Sequence, residues 1–154
     1  MAALWHRACY ATKAMALPVS ASPPGSSIQR VLAVDDDADC TELTRLTLEG
    51  TGRYLVCEVN DPQMAAAAAR DFQPDLVLMD VDMPHLDGRA AALLIQSEKR
   101  LEAVPILFMT SMFGEDVSAA KNPFGWFGPI AKPVPAKQLL SAVDAILHPG
   151  PKTK

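Results

Sequence analysis

The chain has 154 residues, room for one domain and some tail, and is 49% hydrophobic and 21% charged. That composition is ordinary for a globular protein, and a net charge of -4 gives no electrostatic footprint for direct nucleic-acid binding. No apolar run approaches the length needed to cross a bilayer, so membrane insertion is not expected.

Residues 1–27 carry Arg7 and Lys13 but no acid, and residues 148–154 carry Lys152 and Lys154 but no acid, so all 18 acids lie between. Ser20-Ala21-Ser22-Pro23-Pro24-Gly25-Ser26-Ser27 has linker composition, and residues 1–27 read as a disordered N-terminal tail. The basic, acid-free start faintly resembles a transit peptide. A secretory signal is not expected, because His6, Arg7 and Lys13 interrupt any apolar stretch. Translation from either Met1 or Met15 fits the sequence. The three cysteines, Cys9, Cys40 and Cys57, show neither a disulfide framework nor a zinc pattern; Cys40 and Cys57 read as small core residues, which fits a reducing compartment.

Val31-Leu32-Ala33-Val34 reads as a strand buried on both faces, the mark of a parallel sheet, and ends in Asp35-Asp36-Asp37. A helix should follow, capped by Asp37 or Asp39, with Cys40, Leu43, Leu46 and Thr47 at helical spacing and Gly50 and Gly52 as its stop. Residues 54–59 read as another strand. Asp61-Pro62 supplies an N-cap and a proline at the first helical position, residues 64–69 are strongly helix-forming, and Phe72 and Pro74 close that helix.

Leu76-Val77-Leu78-Met79 is a further buried run that ends on Asp80, ahead of a loop containing Pro84 and Gly88. Residues 88–101 read as helix. Residues 105–109 read as a strand ending on Thr110 and Ser111, and residues 115–121 as a short helix ended by Asn122-Pro123. Residues 124–129 have no clear pattern. Ile130-Ala131 reads as a short edge strand before Lys132-Pro133. Residues 135–147 give the clearest helix, with Leu139, Leu140, Val143, Ile146 and Leu147 on one stripe, terminated by Pro149-Gly150-Pro151.

Five strands alternating with five helices predict a doubly wound α/β fold with a parallel sheet. Right-handed crossovers place the carboxyl ends of all strands on one edge. Asp35, Asp36, Asp80, Thr110 and Lys132 all fall at such ends, where open α/β sheets bind ligands. Crowded carboxylates repel one another, so a hard cation with oxygen ligands, Mg²⁺, is expected among them. Aspartate can act as a nucleophile and form an aspartyl phosphate. A transferring phosphoryl group needs its charge neutralised: the metal takes one oxygen, Lys132 pairs with a second, and the Thr110 hydroxyl bonds a third. Singly, each residue has a dull reading: a loop cap at Asp80, a solvated Lys132, a strand-end Thr110, an acidic helix start at Asp35-Asp36-Asp37. Their joint order and spacing make the dull readings poor.

These motifs resemble the receiver (response-regulator) domain of two-component signalling. The resemblance rests on Val31 through Asp37, Val77 through Pro84 with Asp87-Gly88, Pro105 through Thr110, and Lys132-Pro133, and spans residues 28–147. It implies the flavodoxin-like, five-stranded (βα)5 fold. It implies Asp80 as phosphoacceptor, Asp35 and Asp36 as metal-site acids with the main-chain carbonyl of Asp82 as a further Mg²⁺ ligand, Thr110 as the switch hydroxyl, and Lys132 as the motif lysine. The Lys132-Pro133 bond is expected to be cis. The chain departs from the pattern at Pro129, where receivers place Phe or Tyr, and at Gly125-Trp126, where they place Gly-Ala. With no ring at Pro129 to swing and no N–H there to hold a ladder, residues 122–129 are expected to be the mobile element instead.

The expected domain is residues 28–148, with residues 149–154 a short C-terminal tail. The reading is a stand-alone, cytoplasmic response regulator rather than an enzyme, apart from catalysing its own phosphorylation and dephosphorylation. Its expected donor is a sensor histidine kinase or a histidine phosphotransfer protein, and its output is contact with a downstream protein or onward phosphotransfer. Rival readings are a non-phosphorylated pseudo-receiver that only binds partners, a haloacid-dehalogenase-like hydrolase built on Asp80-Val81-Asp82, and a flavin binder. The hydrolase places its nucleophile on the first strand and its acidic pair late; here Asp35-Asp36 comes first. No Ser/Thr/Gly-rich phosphate loop follows the first strand, as a flavin binder would need.

Overall fold

The structure is a computed structural model, and it describes residues 27–111 and 125–150. The elements are β1 (Gln29–Val34), α1 (Ala38–Glu49), β2 (Tyr54–Val59), a 3-10 turn (Pro62–Met64) leading into α2 (Ala65–Phe72), β3 (Leu76–Asp80), α3 (Gly88–Gln96), β4 (Ile106–Thr110), β5 (Trp126–Ala131) and α4 (Ala136–Leu147). The five strands form one sheet, ordered β2-β1-β3-β4-β5, with every neighbouring pair parallel. This is the flavodoxin-like doubly wound sheet expected from the sequence. The expected tail over residues 1–27, apart from Ser27, and the expected helix over residues 115–121 lie outside the described residues, as do residues 151–154.

Alternation along the central strands divides the core into two layers, because successive side chains of a strand point to opposite faces. Leu32, Val34, Val77, Met79 and Phe108 meet Ala65, Ala69 and Phe72 of α2 and Ala91, Ala92 and Ile95 of α3 on one face. Val31, Ala33, Leu78 and Leu107 meet Leu48 of α1 and Leu139 and Val143 of α4 on the other. All five residues of β3 are buried, which explains its unbroken apolar run. Caps fix the helix starts: Asp37 caps α1 by accepting from the Asp39 N–H, Asp61 caps the 3-10 turn through the Gln63 N–H, and Asp87 caps α3 through the Arg89 N–H.

Four local expectations are corrected. The inward face of α1 is Thr41, Thr44 and Leu48; Leu43 is 64% exposed, Leu46 is 56% exposed, and Cys40 is half-buried with a free thiol. Thr41 is tolerated inward because its hydroxyl finds polar partners in the Ala38 carbonyl, Glu58 and Asn60. Cys57 is buried in β2, but it is disulfide-bonded, which the odd count and wide spacing of the cysteines gave no sign of; the cysteine argument for a reducing compartment therefore falls away. Helix α3 stops at Gln96, short of Leu101, and turns fill the interval.

The fourth correction concerns β5. It begins at Trp126 and includes Pro129, so the strand is longer than the expected Ile130-Ala131 and takes in most of the described residues of 122–129. Between the pairs Leu107–Phe127 and Met109–Ile130, Phe108 of β4 faces both Gly128 and Pro129, a bulge that absorbs the missing proline N–H. Gly128 has φ +82°, and a Cβ there would lie 2.7 Å from the Phe108 carbonyl oxygen, so glycine is required. Trp126 is held by its indole N–H donating to Gln96 Oε1 (2.8 Å) and by an edge-to-face contact with Phe108 at 5.2 Å.

Candidate phosphoacceptor site

The parallel register delivers four elements to one edge. Val34 pairs with Met79, Asp80 with Met109, and Thr110 with Ala131, so Asp35, Asp80, Thr110 and Lys132 arrive together at the carboxyl ends of β1, β3, β4 and β5. Neighbours of β1 run on from it in both directions, and the crevice lies at that switch point. Two main-chain bonds tighten the edge: the Val81 N–H donates to Met109 (2.9 Å) and the Lys132 N–H to Thr110 (2.8 Å). The Lys132-Pro133 bond is cis, as the resemblance implied.

Asp35 and Asp80 are 2% and 3% exposed, while Asp36 faces solvent. Lys132 Nζ donates to Asp35 Oδ2 and stands 3.2 Å from Asp80 Oδ1. The second contact is an ion pair between buried groups whose geometry falls short of a well-aligned hydrogen bond. Burial pushes the Asp80 carboxyl above its ordinary range, Lys132 opposes the rise, and the charge of Asp35 adds to it. Burial pulls Lys132 down, but its bond to Asp35 and the charges of Asp35 and Asp80 outweigh that pull and leave it raised. The lysine therefore stays charged between two buried carboxylates.

Asp35 is fully engaged. Its Oδ1 accepts from the Asp37 N–H (2.9 Å), its Oδ2 from Lys132, and its main-chain oxygen from Asn60 Nδ2 (2.9 Å). Asn60 spends its other hydrogen on Thr41 Oγ1 (3.0 Å), the Thr41 hydroxyl lies 3.0 Å from Glu58 Oε2, and Glu58 pairs with Arg45. This polar chain from α1 and β2 to the acid was not foreseen from the sequence. An Asn directly after a strand was its only signal.

Carboxylate oxygens of Asp35, Asp36 and Asp80 lie within 4.8 Å of one another. With the buried Asp80 Oδ1 lacking a well-aligned hydrogen bond, this all-oxygen donor set fits a hard divalent cation. The acids open onto a cleft of about 800 Å³ that continues past Asp82, Ser111 and Cys40 between α1 and α4. Cys40 Sγ donates to Asp37 Oδ2 (3.4 Å), and burial together with the Asp35 charge pushes its thiol up to about 11, so it is a poor nucleophile near neutral pH. The Thr110 side chain is directed to Asp82: Thr110 Oγ1 donates to Asp82 Oδ2 at 2.7 Å. The receiver reading of the sequence pointed to the Asp82 main-chain carbonyl and gave its side chain no part.

A family model described as the response regulator receiver domain matches residues 31–144. The DNA-binding response regulator MtrA of Mycolicibacterium paratuberculosis is 31% identical over 120 residues, which cover 78% of this chain and 52% of that protein. Protein-glutamate methylesterase/protein-glutamine glutaminase 1 of Paramagnetospirillum magneticum is 35% identical over 127 residues, covering 81% of this chain and 33% of that one. The chain thus spans about half the length, or less, of these curated relatives. Among solved structures, the chemotaxis response regulator CheY4 of Vibrio cholerae superposes with a TM-score of 0.69 at 26% identity, covering 79% of this chain and 100% of that one.

Proposed function

Because the chain belongs to the response regulator receiver family, we propose that it is a phosphoacceptor module that takes a phosphoryl group on Asp80 from a phosphohistidine. The observation that carries this reading is the buried Asp80 Oδ1 held 3.2 Å from Lys132 Nζ beside two further carboxylates. An Asp80 oxygen bonds to phosphorus while the bond from phosphorus to the donor imidazole nitrogen breaks, and the imidazole keeps the electron pair. Lys132 neutralises charge on the phosphoryl oxygens, and Thr110 hydrogen-bonds one of them. Mg²⁺, held by Asp36, Asp80 and the Asp82 main-chain carbonyl with Asp35 acting through water, would supply the remaining charge neutralisation.

Residues 28–148 are the unit that does this work in our reading, as a signalling domain rather than an enzyme acting on a separate substrate. Its donor is a sensor histidine kinase or a histidine phosphotransfer protein, and its output is altered contact with a protein partner or onward phosphotransfer. We place it in the cytoplasm with such donors; no helix among the described residues is long and apolar enough to cross a membrane. The complete set of Asp80, Thr110 and Lys132 favours this reading over a pseudo-receiver. The test is transfer from a kinase carrying labelled phosphohistidine. Label should leave the kinase when wild-type protein is added and stay on it when Asp80→Asn is added; equal loss with both proteins would refute the assignment.

A further inference from the structure

We propose that the Asp82 carboxylate is the resting acceptor of the Thr110 hydroxyl, a positioning device that must be released before Thr110 can engage a phosphoryl group. The inference rests on Asp80 being the phosphoacceptor. Thr110 Oγ1 donates to Asp82 Oδ2 at 2.7 Å, and the Ser111 N–H donates to the same oxygen at 3.3 Å. A threonine hydroxyl carries one proton to donate. While it is given to Asp82 it is withheld from anything bound on Asp80, so the two acceptors compete for one donor.

The two ends of the bond differ in setting. Thr110 is 8% exposed at the end of β4, whereas Asp82 faces solvent in the loop after β3. Water can replace the hydroxyl on Asp82 at little cost, but a buried hydroxyl without an acceptor is costly. Asp82 thus satisfies Thr110 at rest and is readily given up when a better acceptor arrives. A phosphoryl group is such an acceptor, with about two negative charges and three strong acceptor oxygens. Asp82 also sets a fifth carboxylate on the cleft that is already lined by Asp35, Asp36, Asp37 and Asp80, against the single cation of Lys132 among the described lining residues. Its side chain therefore opposes phosphoryl binding in two ways, by holding Thr110 and by its charge, while its main-chain carbonyl is unaffected by substitution.

A double-mutant cycle separates the two effects, with beryllofluoride and Mg²⁺ as the phosphoryl mimic and affinity read by titration. Asp82→Ala should tighten beryllofluoride binding about threefold to tenfold, the range expected for releasing one exposed charge-assisted hydrogen bond. In a Thr110→Val background the same substitution should give a clearly smaller gain, because no hydroxyl remains to release. An equal gain in both backgrounds would show that Asp82 acts by charge alone and would overturn the proposal. Scalar couplings of the Thr110 side chain in the unmodified protein test the resting contact without any ligand. One χ1 rotamer is expected in wild type and averaging in Asp82→Ala; averaging in wild type, or an unchanged single rotamer in Asp82→Ala, contradicts it. If the wild type fails to bind beryllofluoride, the phosphoacceptor reading is refuted, while the coupling measurement still decides whether Asp82 holds Thr110.

Discussion

Gly88 leaves no space for a side chain against Asp80: a Cβ built on it would lie 2.0 Å from the Asp80 main-chain oxygen. The first residue of α3 is thus pressed onto the last residue of β3, and the Gly88 N–H donates to the Val81 carbonyl at 3.2 Å. The backbone of Asp80, the proposed phosphoacceptor, is set by this contact. Gly88→Ala must push α3 or the end of β3 aside, at about 1–3 kcal/mol, the usual range for overpacking. The variant should melt lower and accept a phosphoryl group more slowly. An unchanged melting temperature would mean that the contact is not tight in solution.

The three acids proposed to hold Mg²⁺ should differ in weight. Asp35 already serves Lys132, the Asp37 N–H and, through its carbonyl, Asn60, so direct ligation by its side chain would compete with those bonds. Asp36 has no such burden and faces the cleft. Removing its carboxylate should weaken Mg²⁺ binding by about tenfold, as loss of a charged ligand does, and Asp35→Asn should weaken it less. Titration calorimetry on the two variants gives the order directly, and the reverse order would contradict the assignment of Asp35 to an indirect role.

A second cluster, remote from the site, joins β2 to α4. Arg53 donates to both oxygens of Asp144 (2.8 and 3.1 Å), and the Tyr54 hydroxyl donates to the same carboxylate, tying the start of β2 to α4. Burial, helped by Asp144, pushes the Tyr54 phenol from 10.0 up to about 12. The folded state then holds the phenolic proton more tightly than the unfolded chain. This contribution is complete below pH 10 and is lost as pH rises towards 12. Burial works to raise the Asp144 carboxyl, but the bonds from Arg53 and Tyr54 outweigh it and hold it low. That contribution is present above the ordinary carboxylate range and is lost as pH falls through the lowered value. Tyr54→Phe should flatten the alkaline limb of a melting-temperature profile against pH. Asp144→Ala should cost about 1–2 kcal/mol at neutral pH by stranding the buried hydroxyl. Identical alkaline limbs in wild type and Tyr54→Phe would refute the linkage.

Much of this architecture was legible because buried parallel strands write themselves as short apolar runs that end on polar residues. Asp35, Asp80, Thr110 and Lys132 each close such a run, and parallel topology does the rest. What stayed hidden lies in places where two patterns compete. In α1, Leu43 and Leu46 fit a helical stripe as well as Thr41, Thr44 and Leu48 do, and the partners that satisfy the Thr41 hydroxyl on the inward face lie far away in sequence. Gly128 and Pro129 disguise β5 because both are poor strand residues unless a bulge admits them. The bond from Thr110 to Asp82 joins adjacent strand ends 28 positions apart, and no local pattern announces it.

The central claim is that Asp80 accepts the phosphoryl group, and intact-mass spectrometry after incubation with acetyl phosphate and Mg²⁺ tests it most directly. Wild-type protein should gain the mass of one phosphoryl group, the gain should vanish when Mg²⁺ is chelated, and Asp80→Asn should gain none. Equal labelling of Asp80→Asn, or a wild-type chain that stays unlabelled with Mg²⁺ present, would contradict the account.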